Sequence, residues 1–358
     1  MSDVVKPSTY LLLLAVAVTG MGQTLVFAIL PSLGRASGLA DIQVGLIITC
    51  SSLAFALASP IWGRLSEHLG RRPVLMIGLS GYACGTLLFA LVFEAGLAGW
   101  VAGIKLLMLL VLARVLQALV MAASPPAAAY IADVTSPAQR TRGMARIGAA
   151  HNLGTIVGPA MGGALAVFGL VVPLYAVVII TVLMLFLVAW KLPESPWIRS
   201  RAAPKSPFSL VDALRASLAA YVDRRLLDVL LVGVALFMSF AIVQQTLGFM
   251  YQDRFDLTPT QGAAGVGIAM MLAAATSLLA QAVVVQKLGW PPERLLQLAV
   301  PAIGLGALML VWAPQQSIAA GAIAMVGLGL GLGMPGVSGA ASLRVGPEEQ
   351  GAVAGMMS

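Results

Sequence analysis

Gly63-Arg64-Leu65-Ser66-Glu67-His68-Leu69-Gly70-Arg71-Arg72-Pro73 is a short charged stretch between two long apolar runs, Ile42–Trp62 and Val74–Phe93. Each flanking run has about the 20 residues that a helix needs to cross a bilayer core. The stretch therefore reads as a tight surface loop, with glycines at both ends. Gly63 lets the preceding helix end pack closely, and Gly70 permits a sharp turn.

The same pattern repeats outward from this loop. About ten apolar runs of spanning length occur, near Thr9–Leu30, Ile42–Trp62, Val74–Phe93, Leu106–Ile131, Met144–Phe168, Leu170–Trp190, Leu227–Phe249, Gly262–Val285, Leu296–Ala313 and Ser317–Ser342. Gly351–Ser358 looks like the opening of an eleventh. Hydrophobic residues make up 59% of the 358 positions and charged residues 10%, against roughly 25% charged in a soluble domain. A mean hydropathy of +0.96 leaves no room for a sizeable water-soluble domain. The expected fold class is an all-α membrane protein. Its first run is not a signal peptide, since similar runs follow it and no small-residue cleavage site is evident.

The net charge of +7 is explained by sidedness and not by a nucleic acid. Arg64, Arg71, Arg72, Arg140, Arg142, Arg146, Lys191, Arg199, Arg201, Lys205, Arg215, Arg224, Arg225, Lys287, Arg294 and Arg344 fall on one side, while Arg35, Lys105 and Arg254 fall on the other. The basic side is expected to be cytoplasmic, and the N-terminus with Lys6 lies there too. Pro193–Arg225 is the longest polar stretch. In it Leu210, Val211, Leu214, Leu218 and Tyr221 recur at helical spacing, which predicts an amphipathic helix on the membrane face. The resulting organisation is an N-terminal six-helix bundle over 1–192, a linker over 193–225 and an incomplete C-terminal bundle over 226–358. The loop Lys287–Arg294 sits where His68–Pro73 does in the first half, and such repeats mark secondary transporters, with the site at their interface. A complete second half needs about two more helices of ~20 residues each, so the chain is expected to be truncated.

Two polar groups stand out inside the runs. Arg114 lies deep in the fourth run, with Gln117 one turn on along the same face. A charge there costs about 2.5–3.5 kcal/mol on insertion scales, so Arg114 must face a wet cavity or a partner. The alternative is an arginine satisfied by backbone carbonyls for packing alone. In the fifth run Gly154, Gly158 and Gly162 form a stripe that lets another helix approach closely, with Gly163 beside it and Pro159 as a possible kink. His151 lies on the face of Gly158 and is either a titrating group or a packed neutral one. Asn152 is a further polar candidate. Gln244 and Gln245 must include at least one that faces a cavity or another helix, because an unpaired amide in lipid is costly. Gln23, Thr19 and Gln281 are weaker candidates of the same kind. Cys50 and Cys84 read as buried free thiols.

These motifs carry a resemblance. The Gly63–Pro73 loop resembles the G-x-L-a-D-r-x-G-r-r signature of the major facilitator superfamily, with Glu67 where the family has Asp. The resemblance implies a gating element in which Arg71 pairs with Asp133. Arg114-Val115-Leu116-Gln117 resembles the family's R-x-x-Q-G pattern, linked to proton transfer, with Ala118 in place of Gly. Gly154-Thr155-Ile156-Val157-Gly158-Pro159-Ala160-Met161-Gly162-Gly163 is similar to the antiporter motif of the drug–proton exporters. Ala129–Asp133, Leu192-Pro193-Glu194-Ser195 and Gly333-Met334-Pro335 resemble phrases of the tetracycline-type members. The family implies two six-helix bundles with pseudo-two-fold symmetry, here with the second truncated, and a monomer.

The tetracycline exporters carry acids within the first, third and ninth spans. Here Thr19 and Gly85 stand at the first two positions and the ninth run has none. A neutral or anionic amphipathic substrate, a drug or a metabolite such as a siderophore, fits Arg114 better than a cation. His151, Asp133 and Glu67 are the remaining proton carriers. The expected function is proton-coupled efflux, the expected partners a small molecule, protons and the bilayer. An uptake symporter of the same fold and a non-transporting receptor remain open. No enzyme signature, cofactor site or metal site is read.

Overall fold

The computed structural model describes residues 7–121, 124–134, 137–195 and 224–345. The expected amphipathic helix around Leu210–Tyr221 and the opening of an eleventh span at Gly351–Ser358 lie outside them, as do the surroundings of Gly63 and the side chains of Arg64, Glu67 and Asn152. Eleven α-helices follow in order among the described residues: α1 Pro7–Ala36, α2 Asp41–Leu69, α3 Arg71–Leu97, α4 Gly103–Val120, α5 Ser124–Val134, α6 Pro137–Ala166, α7 Val172–Lys191, α8 Leu227–Phe255, α9 Pro259–Ala280, α10 Pro292–Val311 and α11 Gln316–Leu343. The end of α9 continues as a π-helical segment, Gln281–Lys287. No strand occurs among the described residues.

Nine of these helices are long and apolar enough to cross a membrane. Two expectations change. The run Leu106–Ile131 is not one helix: α4 ends at Val120, Met121 has extended backbone with ψ 95°, and α5 begins at Ser124. Pro125 and Pro126 supply no N–H to the turn before them, so they suit the first turn of a new helix and not the middle of an old one. The run Met144–Phe168 belongs to a longer helix, α6, that starts at Pro137. Its apolar part is only Leu153–Ala166, because Arg140, Arg142 and Arg146 occupy the preceding turns.

The chain separates into two compact units. The first contains α2–α5 and α7, with α1 up to Val26 and α6 up to Gly158. Its core joins Leu12 and Val16 of α1, Leu75 and Leu79 of α3, Tyr130 and Ile131 of α5, and Met184 and Val188 of α7. The second contains α8–α11 together with the short segments Phe27–Ser32 and Pro159–Val167. In it, glycines of α11 let backbones meet: a Cβ at Gly331 would stand 2.7 Å from the Ser277 Cα of α9. The Thr276 hydroxyl donates to the Ala324 carbonyl at 2.6 Å across the same seam. Close contact is how such helices associate, since lipid tails give apolar faces no reason to separate from the membrane.

The outward faces are apolar. Leu53, Phe186, Leu231 and Leu279 are all 61–64% exposed. Cys84 is likewise exposed and Cys50 half-buried. This corrects the expectation of two buried thiols: a sulfur on a helix face that meets hydrocarbon has no need of a protein core.

Candidate functional site

Arg71, at the start of α3, turns its Nε toward Asp133 of α5 at 3.1 Å. Its Nη1 donates to the Ser66 hydroxyl of α2 at 2.6 Å. The Ser195 hydroxyl donates to the same Asp133 oxygen at 2.8 Å. Arg71 is 5% exposed, so this pair is shielded from the screening that weakens surface ion pairs. The loop, α5 and the segment after α7 are thereby tied at one point.

Glu194 holds the second half of this knot, and its part was not read from the sequence. Its Oε1 accepts from the Arg71 N–H at 3.0 Å and from the Arg72 N–H at 3.3 Å, and from its neighbour Ser195 N–H at 2.8 Å. A carboxylate here satisfies first-turn donors of α3 and opposes the positive end of its dipole. Gly70 makes room. Its φ is +103°, and a Cβ would stand 2.6 Å from the Glu194 Oε2. The Tyr130 hydroxyl donates to the Pro193 carbonyl at 3.1 Å and fixes the strand of chain that delivers Glu194. The phrase Leu192–Ser195 was visible in the sequence, but no spacing rule links it to a helix start some 120 residues earlier.

Glu194→Gln removes the charge and keeps the shape. The expected cost is about 0.5–2 kcal/mol, the range for loss of a cap plus its dipole interaction. Thermal unfolding of the purified protein should show it, and Glu194→Ala should cost more. Equal stability of wild type and both variants would show that the carboxylate does not cap α3.

The second cluster lies inside the apolar body. Arg114 is 6% and Gln117 2% exposed. Arg114 Nη1 donates to the Gln117 Oε1, and its guanidinium carbon lies 5.3 Å from the centre of the Phe89 ring, within cation–π range. Gln117 Nε2 donates in turn to the Thr86 hydroxyl at 2.5 Å and to the Tyr82 carbonyl at 3.3 Å. A Cβ at Gly85 would stand 2.5 Å from the Gln117 Cβ, so α3 and α4 touch backbone to side chain at this level. The guanidinium keeps one buried group, Nε, without a protein acceptor. Among the described residues no carboxylate pairs with Arg114. The Tyr82 hydroxyl, buried nearby against Gly22 of α1, also has no partner.

The glycine string is the third element. A Cβ at Gly154 would run into the Ala17 carbonyl of α1, and one at Gly158 into the Met21 carbonyl and the Thr24 hydroxyl. His151, one turn earlier, is half-buried. A Cβ at Gly20 would stand 2.9 Å from its Nδ1. Pro159 and Gly162 are buried. Within the second unit a Cβ at Gly163 would stand 2.9 Å from the Gly267 Cα of α9. Gln244 is 7% exposed. Gln245 is half-buried, with an Oε1 that finds no donor. Thr19 spends its hydroxyl on the Ala15 and Val16 carbonyls of its own helix. Gln23 reaches the Met121 sulfur at 3.8 Å, and Gln281 the Ser277 hydroxyl at 3.4 Å. Among the described residues no three His, Cys, Asp or Glu side chains converge as a metal site does.

Membrane-length helices that bury an arginine, with an ion-paired knot at one end of the first unit, fit a membrane transporter. The profile of the Major Facilitator Superfamily matches residues 12–358. The tetracycline resistance protein, class G, of Vibrio anguillarum is 28% identical over 98% of this chain and 86% of its own length. A crystal structure of the human organic anion transporter MFSD10 (TETRAN) superposes with a TM-score of 0.65 at 22% identity, covering 98% of this chain and 90% of that one. A bacterial homologue of the human lysosomal transporter Spinster, inward-facing and unoccupied, gives 0.72 at 16% identity over 98% and 79%. The chain belongs to the Major Facilitator Superfamily of membrane transporters.

Proposed function

We propose that this chain is a proton-driven exporter of a small amphipathic compound, neutral or anionic, working as a monomer by alternating access. In this reading it lies in the inner membrane with its basic face and N-terminus in the cytoplasm. A six-helix bundle over 1–192, a linker over 193–225 and a second bundle over 226–358 are its moving parts. Arg114 carries the reading of substrate charge. It is buried, it leans on an amide and a ring, and among the described residues no carboxylate neutralises it. No acid stands in the middle of a described span either. A cationic drug would meet an unopposed positive charge, whereas a carboxylate or a polar neutral group would complete the Arg114 hydrogen bonds.

Export is favoured by the close packing of the Gly154–Gly163 string, which resembles the exporters' motif, and by relatives named for resistance to tetracycline or to several drugs. The role of the Arg71–Asp133–Glu194 knot is to hold one face of the transporter shut, and its opening releases the loop. His151 is the proton carrier of choice. Asp133 is held by Arg71 and Ser195, whereas His151 borders Gly20 at the α1–α6 contact, where protonation can alter packing directly.

Cells of an efflux-deficient host, loaded with carboxyfluorescein, should retain less dye when they express the protein. A protonophore should restore retention, and His151→Gln should do so without it. Export by His151→Gln at the wild-type rate and with the same protonophore sensitivity would pass the proton role to Asp133 or Glu67.

A further inference from the structure

An open apolar furrow of about 530 Å³ runs down the outside of the first unit between α3 and α7. Ile77, Ser80, Val182, Phe186 and Ala189 line it. A smaller hollow of about 270 Å³, shared by Phe186, Ala189 and Trp190, continues it toward the basic end of α7. Ile77, Val182, Phe186 and Trp190 are 38%, 48%, 64% and 71% exposed. The Ser80 hydroxyl is spent on the Ile77 carbonyl of its own helix, so the furrow offers no polar group to a ligand along its length. Only hydrocarbon suits it.

Its basic end is different. Lys191 holds its ammonium 5.1 Å from the centre of the Trp190 ring. Arg72 reaches across from α3 and donates Nη2 to the carbonyl of Ala189, a lining residue. Its Nε is buried and has no acceptor. Among the described residues neither cation has a carboxylate partner. The nearby acids are already engaged: Glu194 accepts from the N–H groups of Arg71, Arg72 and Ser195, and Asp133 from the Arg71 side chain and Ser195. An apolar trough that ends in two unneutralised cations at the membrane surface has the shape and charge of an anionic amphiphile in reverse.

We propose that this furrow is a binding site for one anionic phospholipid, with an acyl chain along α3 and α7 and the phosphate between Lys191 and Arg72. The site is separate from the transport cluster around Arg114 and does not depend on what is transported. It borders the Arg71–Asp133–Glu194 knot through Arg72, so a bound lipid would brace the start of α3.

Native mass spectrometry of the purified protein, given equal amounts of phosphatidylglycerol and phosphatidylcholine with identical chains, tests it. Phosphatidylglycerol should be retained several-fold more than phosphatidylcholine. Lys191→Gln should bring the ratio close to one, and Lys105→Gln, an exposed cation at the opposite ends of the helices, should leave it unchanged. Ser80→Trp fills the furrow and should lower retention of both lipids. Ala189→Leu does the same job if Ser80→Trp fails to fold. Glycerophosphate, the same head without a chain, should displace neither lipid. Equal retention of the two lipids by the wild type would overturn the proposal. So would full retention by the furrow-filling variant, an equal loss of the ratio in Lys105→Gln, or displacement by glycerophosphate.

Discussion

Arg114→Ala should reduce gradient-dependent export at least about tenfold while leaving a folded, membrane-inserted protein. The size follows from the bonds it removes. A hydrogen bond to a charged group contributes about 1.5–3 kcal/mol, and each 1.4 kcal/mol is about tenfold. Arg114 would lend such a bond to a substrate carboxylate or polar group from its unpartnered edge. Its loss strands only Gln117, a neutral amide that still donates to Thr86 and Tyr82. Arg114→Lys should fail almost as badly, since an ammonium cannot both meet the Gln117 oxygen as one arm of a planar fork and lie over the Phe89 ring. The reverse change behaves differently. Gln117→Leu leaves a buried charge without its acceptor, and losing a hydrogen bond to a charged group costs about 1.5–3 kcal/mol. That variant should be poorly folded and low in yield, where Arg114→Ala is stable and inactive. Neutral helix-to-helix hydrogen bonds in membranes average only about 0.6 kcal/mol. The Gln117–Thr86 bond therefore matters for aim more than for stability. Quantified expression, thermal unfolding and dye efflux, measured side by side, separate the two variants. Equal loss of stability in both would reduce Arg114 to a packing residue.

Gly158→Leu should abolish transport and destabilise the protein, with Gly158→Ala a graded step on the way. The new Cβ meets the Met21 carbonyl and the Thr24 hydroxyl, both on α1, and there is no flexible side-chain end to move aside. Thr24 itself is bonded to the Gly20 and Met21 carbonyls. The helices must part, and overpacking of this kind costs about 1–3 kcal/mol even before larger side chains are tried. Gly154→Ala should act in the same direction through the Ala17 carbonyl. Gly45 provides the contrast. It lies in α2 with nothing within 4 Å of a Cβ, so Gly45→Ala should be neutral or slightly stabilising, as alanine favours the helix over glycine by up to about 1 kcal/mol. Detergent melting curves and transport rates for the four variants check the ordering. If Gly158→Leu melts and transports like the wild type, the α1–α6 contact does not set the spacing on which alternation depends.

Much of the architecture was legible because membrane helices announce themselves by length and apolarity. The Arg114–Gln117 pair was legible from its spacing of one turn. Its third and fourth members, Thr86 and Phe89, were not. They come from another helix, and in an apolar run that is buried on one face and lipid-facing on the other, periodicity does not reveal which face meets which neighbour. The same ambiguity misplaced Cys84. The division of α4 from α5 was written in Pro125-Pro126, but the apolar count runs straight through prolines and alanines and concealed it. Glu194 was present as a familiar phrase without a role, since its contacts with Arg71 and Arg72 are made only once α7 folds back on α3.

Outward, proton-driven transport of a compound that is not cationic is the activity proposed for the protein. The most direct measurement uses everted membrane vesicles whose interior is acidified, with carboxyfluorescein or ethidium outside. Carboxyfluorescein should accumulate inside, nigericin should collapse the accumulation, and Arg114→Ala vesicles should show none. Ethidium should not accumulate. Accumulation of ethidium in place of the anion, or loss of preloaded carboxyfluorescein from acidified vesicles as a symporter requires, would contradict it.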